Sequence, residues 1–255
     1  MILDQSPGTG SGRIAMLIDG DNAQPSLMGE TIAEAGKYGL VTVRRIYGDW
    51  TEANMKSWRP ILNTHAIQPI QQFRNTVGKN ATDSALIIDA MDILYERIVN
   101  GFCLVSSDSD YTRLATRIRE KGVFVMGIGQ RTTPKAFVNA CEVFVYTENL
   151  HGGASKPEPA RNQKQKVVAE GSPPEPLPLL KSAFDMSVQE DGWAFLGTMG
   201  SRLRQLDPGF DSRTYGFIQL SQLLRSYSSE FEMREERSGS GPSLIYIRLR
   251  DMRGR

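Results

Sequence analysis

The chain has 255 residues, 40% of them hydrophobic, with 30 Lys+Arg against 29 Asp+Glu and a formal net charge of +1. That length and apolar content allow a sizeable core and more than one domain, while near-neutrality argues against indiscriminate electrostatic binding of a polyanion, which takes a basic stripe. No stretch approaches the roughly 20 apolar residues of a membrane span, the polar segment from Met1 to Gly12 lacks the run of a signal peptide, and Cys103 and Cys141 fit reduced, buried thiols, so a cytoplasmic protein with no membrane attachment is expected.

Residues 13–147 read as alternating strands and helices. Apolar runs at 13–18, 40–47, 66–73, 103–107, 123–128 and 142–146 are separated by segments of helical patterning. This alternation predicts an α/β fold with a parallel sheet and right-handed crossovers. Between the third and fourth runs, Thr82 to Val99 reads as a helix with an apolar stripe of Ala85, Leu86, Ile88, Met91, Leu94, Tyr95 and Ile98. Residues 151–176 are rich in Pro, Lys, Gln, Gly and Glu and read as a flexible linker. Residues 177–250 resume apolar periodicity. Trp193, Leu196, Met199, Leu203 and Leu206 predict a helix starting after Asp191-Gly192, and Tyr215, Ile218, Leu223, Leu224 and Tyr227 predict another. Two β-like runs, 231–234 and 244–249, flank a Gly/Ser-rich tip at 238–242, so helices followed by a hairpin predict a small α+β winged-helix module.

Carboxylates cluster where buried strands run out. Asp19 and Asp21 follow the first run and Asp108 and Asp110 the fourth. In an open parallel sheet those ends converge on one crevice. Asp83, in the first turn of the Thr82–Val99 helix, is delivered toward the same place by the loop at 75–80. Like charges held together raise one another's pKa and cost stability unless a cation sits among them. Hard oxygen donors suit Mg²⁺ or Mn²⁺, so Asp19, Asp83, Asp108 and Asp110 are the candidate metal ligands and catalytic residues. His65 and His151 lie far apart without cysteine partners, which leaves no case for zinc.

Competing uses apply to the same residues. Helix capping rivals ligation for Asp110, less so for Asp108, and capping or an amide contact to substrate is expected of Asn22. Asp89 lies six residues past Asp83, about 120° away around the helix, where it would orient a ligand or a basic residue, while Asp92 is expected to be solvated or ion-paired. Arg74, Lys79, Arg131, Lys135 and the strand-end Ser106 are candidate substrate contacts, with the loop at 127–134 leading into a helix N-terminus of the kind that attracts anions.

With these residues assembled, 13–150 resembles the NYN domain, a branch of the PIN-like ribonucleases. The resemblance is carried by the strand-end aspartates, by Lys79-Asn80-Ala81-Thr82-Asp83 and by Ser106-Ser107-Asp108-Ser109-Asp110-Tyr111. Residues 177–250 resemble the LOTUS or OST-HTH domain through Asp191-Gly192-Trp193, Met199-Gly200 and Tyr215-Gly216-Phe217. The resemblance implies a PIN-like fold that cleaves RNA with a divalent metal, its catalytic carboxylates falling on Asp19, Asp83 and Asp108 with Asp110 as a fourth. It also implies a LOTUS domain that binds guanine-rich or structured RNA. Residues 177–255 carry 11 Lys+Arg and 10 Asp+Glu, so phosphate contacts there are assigned to Arg202, Arg204, Arg213 and Arg225. Tyr215 and Phe217 are expected in the core rather than as stacking surfaces. Two rivals stand beside this reading. One is a catalytically silent RNA-binding adaptor. The other is a haloacid dehalogenase-like phosphatase built on Asp19-Gly20-Asp21, which would need Thr or Val where Asn22 stands. No pattern in the sequence fixes an oligomeric state.

Overall fold

A computed structural model describes residues 12–73, 81–150, 174–236 and 243–250. The chain divides into two compact units, Met1–His151 and Gly152–Arg255.

In the first unit, six strands form one parallel sheet: β1 (Arg13–Asp19), β2 (Leu40–Gly48), β3 (Gln68–Gln71), β4 (Gly101–Val105), β5 (Phe124–Gly129) and β6 (Val143–Tyr146). Their spatial order is β3-β2-β1-β4-β5-β6. The connections are helical: α1 (Met28–Ala35), α2 (Arg59–His65), α3 (Ala81–Glu96), α4 (Thr112–Glu120) and α5 (Lys135–Ala140). Strands buried on both faces read as continuous apolar runs because each face needs its own partners. Along β1, Ala15 and Leu17 join one core with Leu86 and Ile93 of α3, Leu114 and Ile118 of α4 and Phe137 of α5, while Ile14, Met16 and Ile18 join a second core with Met28 of α1 and Trp58. The chain winds outward from β1 to β3 and then returns to β4, so the carboxyl ends of β1 and β4 flank the point where the winding reverses and a crevice opens.

α3 forms as expected, and its expected stripe coincides with the core face only in part, Leu86 and Leu94 being buried and Ala85 and Met91 packed against the core. Thr82, Leu86, Ala90, Ile93 and Leu94 are buried, whereas Ile88 (62% exposed), Tyr95 (79%) and Ile98 (41%) face outward. The helix ends at Glu96, before Ile98, and Arg97 takes a left-handed conformation (φ 54°). Apolar residues surround α3 on nearly all sides, so its sequence does not mark the core face. Contact with Ala15, Leu17 and Phe102 selects it.

The second unit packs α6 (Leu177–Asp185), α7 (Leu196–Leu206) and α8 (Leu220–Ser226) against an antiparallel sheet ordered β7 (Ala194–Phe195), β9 (Leu244–Leu249), β8 (Phe231–Glu236). Its core joins Leu180, Phe184, Met199, Leu203, Leu223, Leu224, Phe231 and Ile247. The expected helix after Asp191-Gly192 begins later. Asp191 Oδ1 accepts from the Trp193 amide at 3.0 Å, Gly192 turns at φ 78°, and the chain passes through β7 before α7 starts at Leu196. The helix expected over 215–227 is likewise split. Gly216 (φ 82°) ends a 3-10 turn, Ile218 is exposed, and α8 starts at Leu220. Tyr215 and Phe217 pack against the core, as expected. The β8–β9 hairpin forms, and its predicted tip at 238–242 lies outside the described residues, as does the linker through residue 173. Both cysteines are free and buried. Among the described residues, no helix is long and apolar enough to cross a membrane.

Candidate functional site

β1 carries its buried run through to Asp19, whose side chain is itself buried. The next residue must be glycine. Its amide donates to the Tyr47 carbonyl at 2.9 Å, and a Cβ on Gly20 would stand only 2.6 Å from that oxygen. This close approach to β2 turns the chain so that donors fold back onto Asp19. The Asp21 amide donates to Oδ1 at 3.1 Å, and Asn22 Nδ2 and Ser106 Oγ donate to Oδ2 at 2.7 and 2.8 Å. Burial pushes the Asp19 carboxyl above the usual range, the Asn22 and Ser106 bonds pull it down, the Asp83 charge pushes it up and the Asp21 amide pulls it down.

Across the reversal point, Asp83, Asp108 and Asp110 each offer an oxygen within 4.8 Å of the others. Asp83 stands in the first turn of α3, where Oδ1 accepts from the buried Tyr111 hydroxyl at 2.7 Å. Burial raises its pKa first, Tyr111 opposes that, and Asp108, Asp110 and Asp21 raise it further. The Tyr111 phenol is pushed well above its ordinary value by burial and by Asp19 and Asp83, which keeps it a donor. Asp108 follows β4. Its amide donates to Ser106 Oγ at 3.0 Å, and its Oδ1 accepts from the Asp110 amide at 2.9 Å. Ser106 therefore ties the end of β4 to the end of β1.

These contacts revise several expectations. The tight carboxylate group is Asp83, Asp108 and Asp110, and Asp19 stands beside it, its oxygens accepting from donors of both strand ends. Capping falls to Asp108 rather than Asp110, since the turn Ser109–Tyr111 precedes α4 and starts the helical path one residue early. Asn22 caps nothing. Gln24 holds the cap position of the turn at Pro25–Leu27, and the Asn22 amide is spent on Asp19. Ser106, expected at substrate, is buried and directs its hydroxyl to Asp19. The loop before α5 is not an open anion cradle. Its Gln130 amide donates to Ser107 Oγ at 2.8 Å, its Arg131 amide donates to Glu148 at 2.9 Å, and α5 has only six residues. The Arg131 and Lys135 residues are exposed, and Arg74 and Lys79 lie outside the described residues.

Two tyrosines missing from the sequence-derived site shape it. Tyr111 orients Asp83, and Tyr47, with Arg45, bonds Asp89 on the same helix, so Asp89 engages a basic residue on β2. The signal that could have found Tyr111 is its place directly after Ser109-Asp110 in the segment Ser106-Ser107-Asp108-Ser109-Asp110-Tyr111. In the second unit, Arg213 is clamped on Asp211 at 2.9 and 2.6 Å and Arg202 Nη1 donates to Gln205 at 2.8 Å. Arg204 and Arg225 are exposed on α7 and α8.

The donor set fits a hard divalent cation. Three carboxylates from two separate elements converge, Asp83 is raised by its neighbours' charge, and the hydrogen-bond donor turned onto Asp83 is a neutral phenol.

The family model of the NYN domain matches residues 13–148, and that of the OST-HTH/LOTUS domain matches residues 172–242. No curated protein matches the chain. Among solved structures, it is similar to a protein of unknown function from Vibrio parahaemolyticus, with 19% identity over 55% of this chain and 96% of that one at a TM-score of 0.46. It is also similar to an uncharacterized protein from Nitrosomonas europaea, with 32% identity over 38% of this chain and 90% of that one at a TM-score of 0.29. Those TM-scores are too low for either likeness to bear on fold or activity. The parallel sheet with acidic side chains at its reversal point and the match over 13–148 agree: the chain belongs to the NYN domain family and carries an OST-HTH/LOTUS domain after it.

Proposed function

We propose that the chain is a divalent-metal-dependent ribonuclease whose second unit recognises RNA. The observation that carries this reading is the convergence of Asp83, Asp108 and Asp110 within 4.8 Å at the carboxyl edge of an open parallel sheet. A divalent ion there would supply Lewis-acid chemistry, activating water for in-line attack on phosphorus and stabilising the leaving oxygen. Asp83, Asp108 and Asp110 are the residues that would hold it, and Mg²⁺ or Mn²⁺ suits their oxygen donors. Tyr111 fixes the Asp83 carboxylate by donating to one of its oxygens. Asp19, held by Asn22, Ser106 and the Asp21 amide, adds fixed negative charge beside the group and serves it without belonging to the tight set. Ser106 keeps the two strand ends in register. Arg131 and Lys135, exposed near the carboxyl end of β5, are proposed contacts for substrate phosphates, as are Arg74 and Lys79. The products are a 5′-phosphate and a 3′-hydroxyl.

Replacing Asp83 by Asn keeps the acceptor for Tyr111 but removes one ligand charge. Cleavage of single-stranded RNA with Mg²⁺ or Mn²⁺ should fall about a thousandfold, the rate cost of losing several kcal/mol of metal-borne stabilisation. Undiminished cleavage by this variant would remove Asp83 from the mechanism, and a wild-type protein that binds RNA yet never cuts it would favour the adaptor reading.

A further inference from the structure

A sheet with one solvated face ordinarily turns polar side chains outward on that face. The three-stranded sheet of the second unit departs from this. Its inward residues Ala194, Phe231 and Ile247 are core. On the other face, Phe195, Tyr246 and Arg234 stand in one row across β7, β9 and β8, because Tyr246 is the register partner of both others. The Phe195 and Tyr246 ring centroids are 5.8 Å apart. Beside this row, the Arg234 guanidinium lies 4.6 Å from the Trp193 ring centroid and 5.5 Å from that of Tyr246, and the Arg248 guanidinium lies 4.7 Å from Trp193.

Both guanidiniums are also oriented by carboxylates, Arg234 by Glu236 at 2.9 Å and Arg248 by Glu232 at 2.7 Å. Each pair offsets the charge of its guanidinium while leaving both arginine side chains nearly half exposed, at 45% and 46%. A duplex backbone is held mainly by net positive charge. An array of aromatic rings and ion-paired guanidinium planes is suited to unpaired bases, whose π-faces stack on both kinds of group.

We propose that this outer sheet face, centred on Phe195, Tyr246 and Arg234, with Trp193 buried beneath the two guanidiniums as their support, is a base-stacking platform for single-stranded RNA, in place of the helix arginines assigned from sequence. It rests on the reading that the second unit recognises RNA and says where and through which chemistry. The platform holds the strand by its bases, so affinity depends weakly on salt and strongly on the presence of bases.

The test uses the full chain in EDTA, so that no strand is cut, with a fluorescent single-stranded RNA and an abasic strand of equal length and charge. The abasic strand should bind about tenfold or more weakly, and Tyr246→Leu, which keeps apolar bulk but loses the ring, should weaken RNA binding about tenfold while leaving abasic binding unchanged. Tyr246→Phe should restore RNA affinity. Arg234→Gln, at a surface side chain, provides a second variant should Tyr246→Leu melt early, and it should weaken RNA binding in the same selective way. Equal losses for RNA and the abasic strand would show phosphate contact and overturn stacking. Unchanged RNA affinity in both variants would overturn the platform, hand this face to a protein partner and leave the nuclease reading standing. A wild-type chain that binds no RNA in EDTA would sink the platform and RNA recognition together, with Asp83-dependent cleavage still measurable by itself.

Discussion

Asp83 and Asp89 sit six residues apart on α3, and the protein treats them in opposite ways. Asp89 meets a guanidinium and a phenol, Arg45 and Tyr47, both reaching across from β2. Asp83 meets Asp108 and Asp110, with a phenol as its hydrogen-bond donor. One helix thus carries a neutralised carboxylate in its middle and an electrostatically frustrated one at its start. Folding alone would favour the first arrangement at both places. Carboxylates gathered at the crevice favour a cation among them, and this contrast sets a carboxylate proposed for chemistry against one that ties its helix to the sheet.

Metal addition offers the strongest test of that contrast. Because the folded-state pKa values of Asp19 and Asp83 are raised, their contribution to stability is present at low pH and is lost as pH rises through those raised values. A divalent cation favours the ionised form, so it should stabilise the chain by about 2.7 kcal/mol at a hundredfold excess over its Kd near neutrality, and progressively less as protons compete at lower pH. Thermal melting with and without Mn²⁺ at two pH values reads this directly. An equal shift at both would mean that the ion binds elsewhere. Asp83→Asn should abolish the shift while leaving the metal-free melting temperature equal or higher.

At Asp89 the sign reverses. Its side chain is 24% exposed, and its loss strands Arg45 and Tyr47 at the sheet. Asp89→Ala should cost about 2 kcal/mol in urea unfolding, within the range for a partly buried charged hydrogen-bond network, and should leave the metal-induced shift in place. A variant that lost the shift without losing stability would place Asp89 in the metal site and erase the distinction between the two carboxylates.

A smaller effect is expected at Ser106, where one hydroxyl serves both strand ends. Ser106→Ala removes a donor that lowers the Asp19 pKa, so that value rises further and the acid limb of the cleavage profile moves to higher pH. The loss should be about fivefold on the acid side, the worth of one net hydrogen bond near 1 kcal/mol. An unmoved profile would mean that Asp19 does not need its charge.

How much of this could be read in advance varies with the kind of interaction. β1, β4, β5 and β6 showed themselves because burial on both faces demands unbroken apolar runs such as Ile14–Ile18, and the strand-end acids showed themselves by following those runs. Asp83, Asp108 and Asp110 were named from position alone. What position could not reveal is that Asp19 spends its oxygens on Asn22 and Ser106, since that depends on a hydroxyl 87 residues away. The sheet face of the second unit was hidden in the same way. Trp193, Arg234 and Tyr246 are scattered in sequence, and only strand register brings them together.

The outer face of α3 supplies the least perturbing test, and it addresses an element whose type was read correctly and whose buried face was read only in part. Ile88 and Tyr95 belong by sequence to an apolar stripe, yet they are 62% and 79% exposed, while Ile93 is buried against the sheet. With these side chains outward, Ile88→Gln and Tyr95→Gln should each change stability by less than about 0.5 kcal/mol, as surface substitutions do. Ile93→Ala should cost about 2–5 kcal/mol as the matched control for a core position. A helix rotated toward the sequence-derived stripe would invert that ranking. It would also swing Asp83 away from Tyr111 and Asp108, so these quiet substitutions on the far side of α3 bear on the same geometry that gathers the carboxylates.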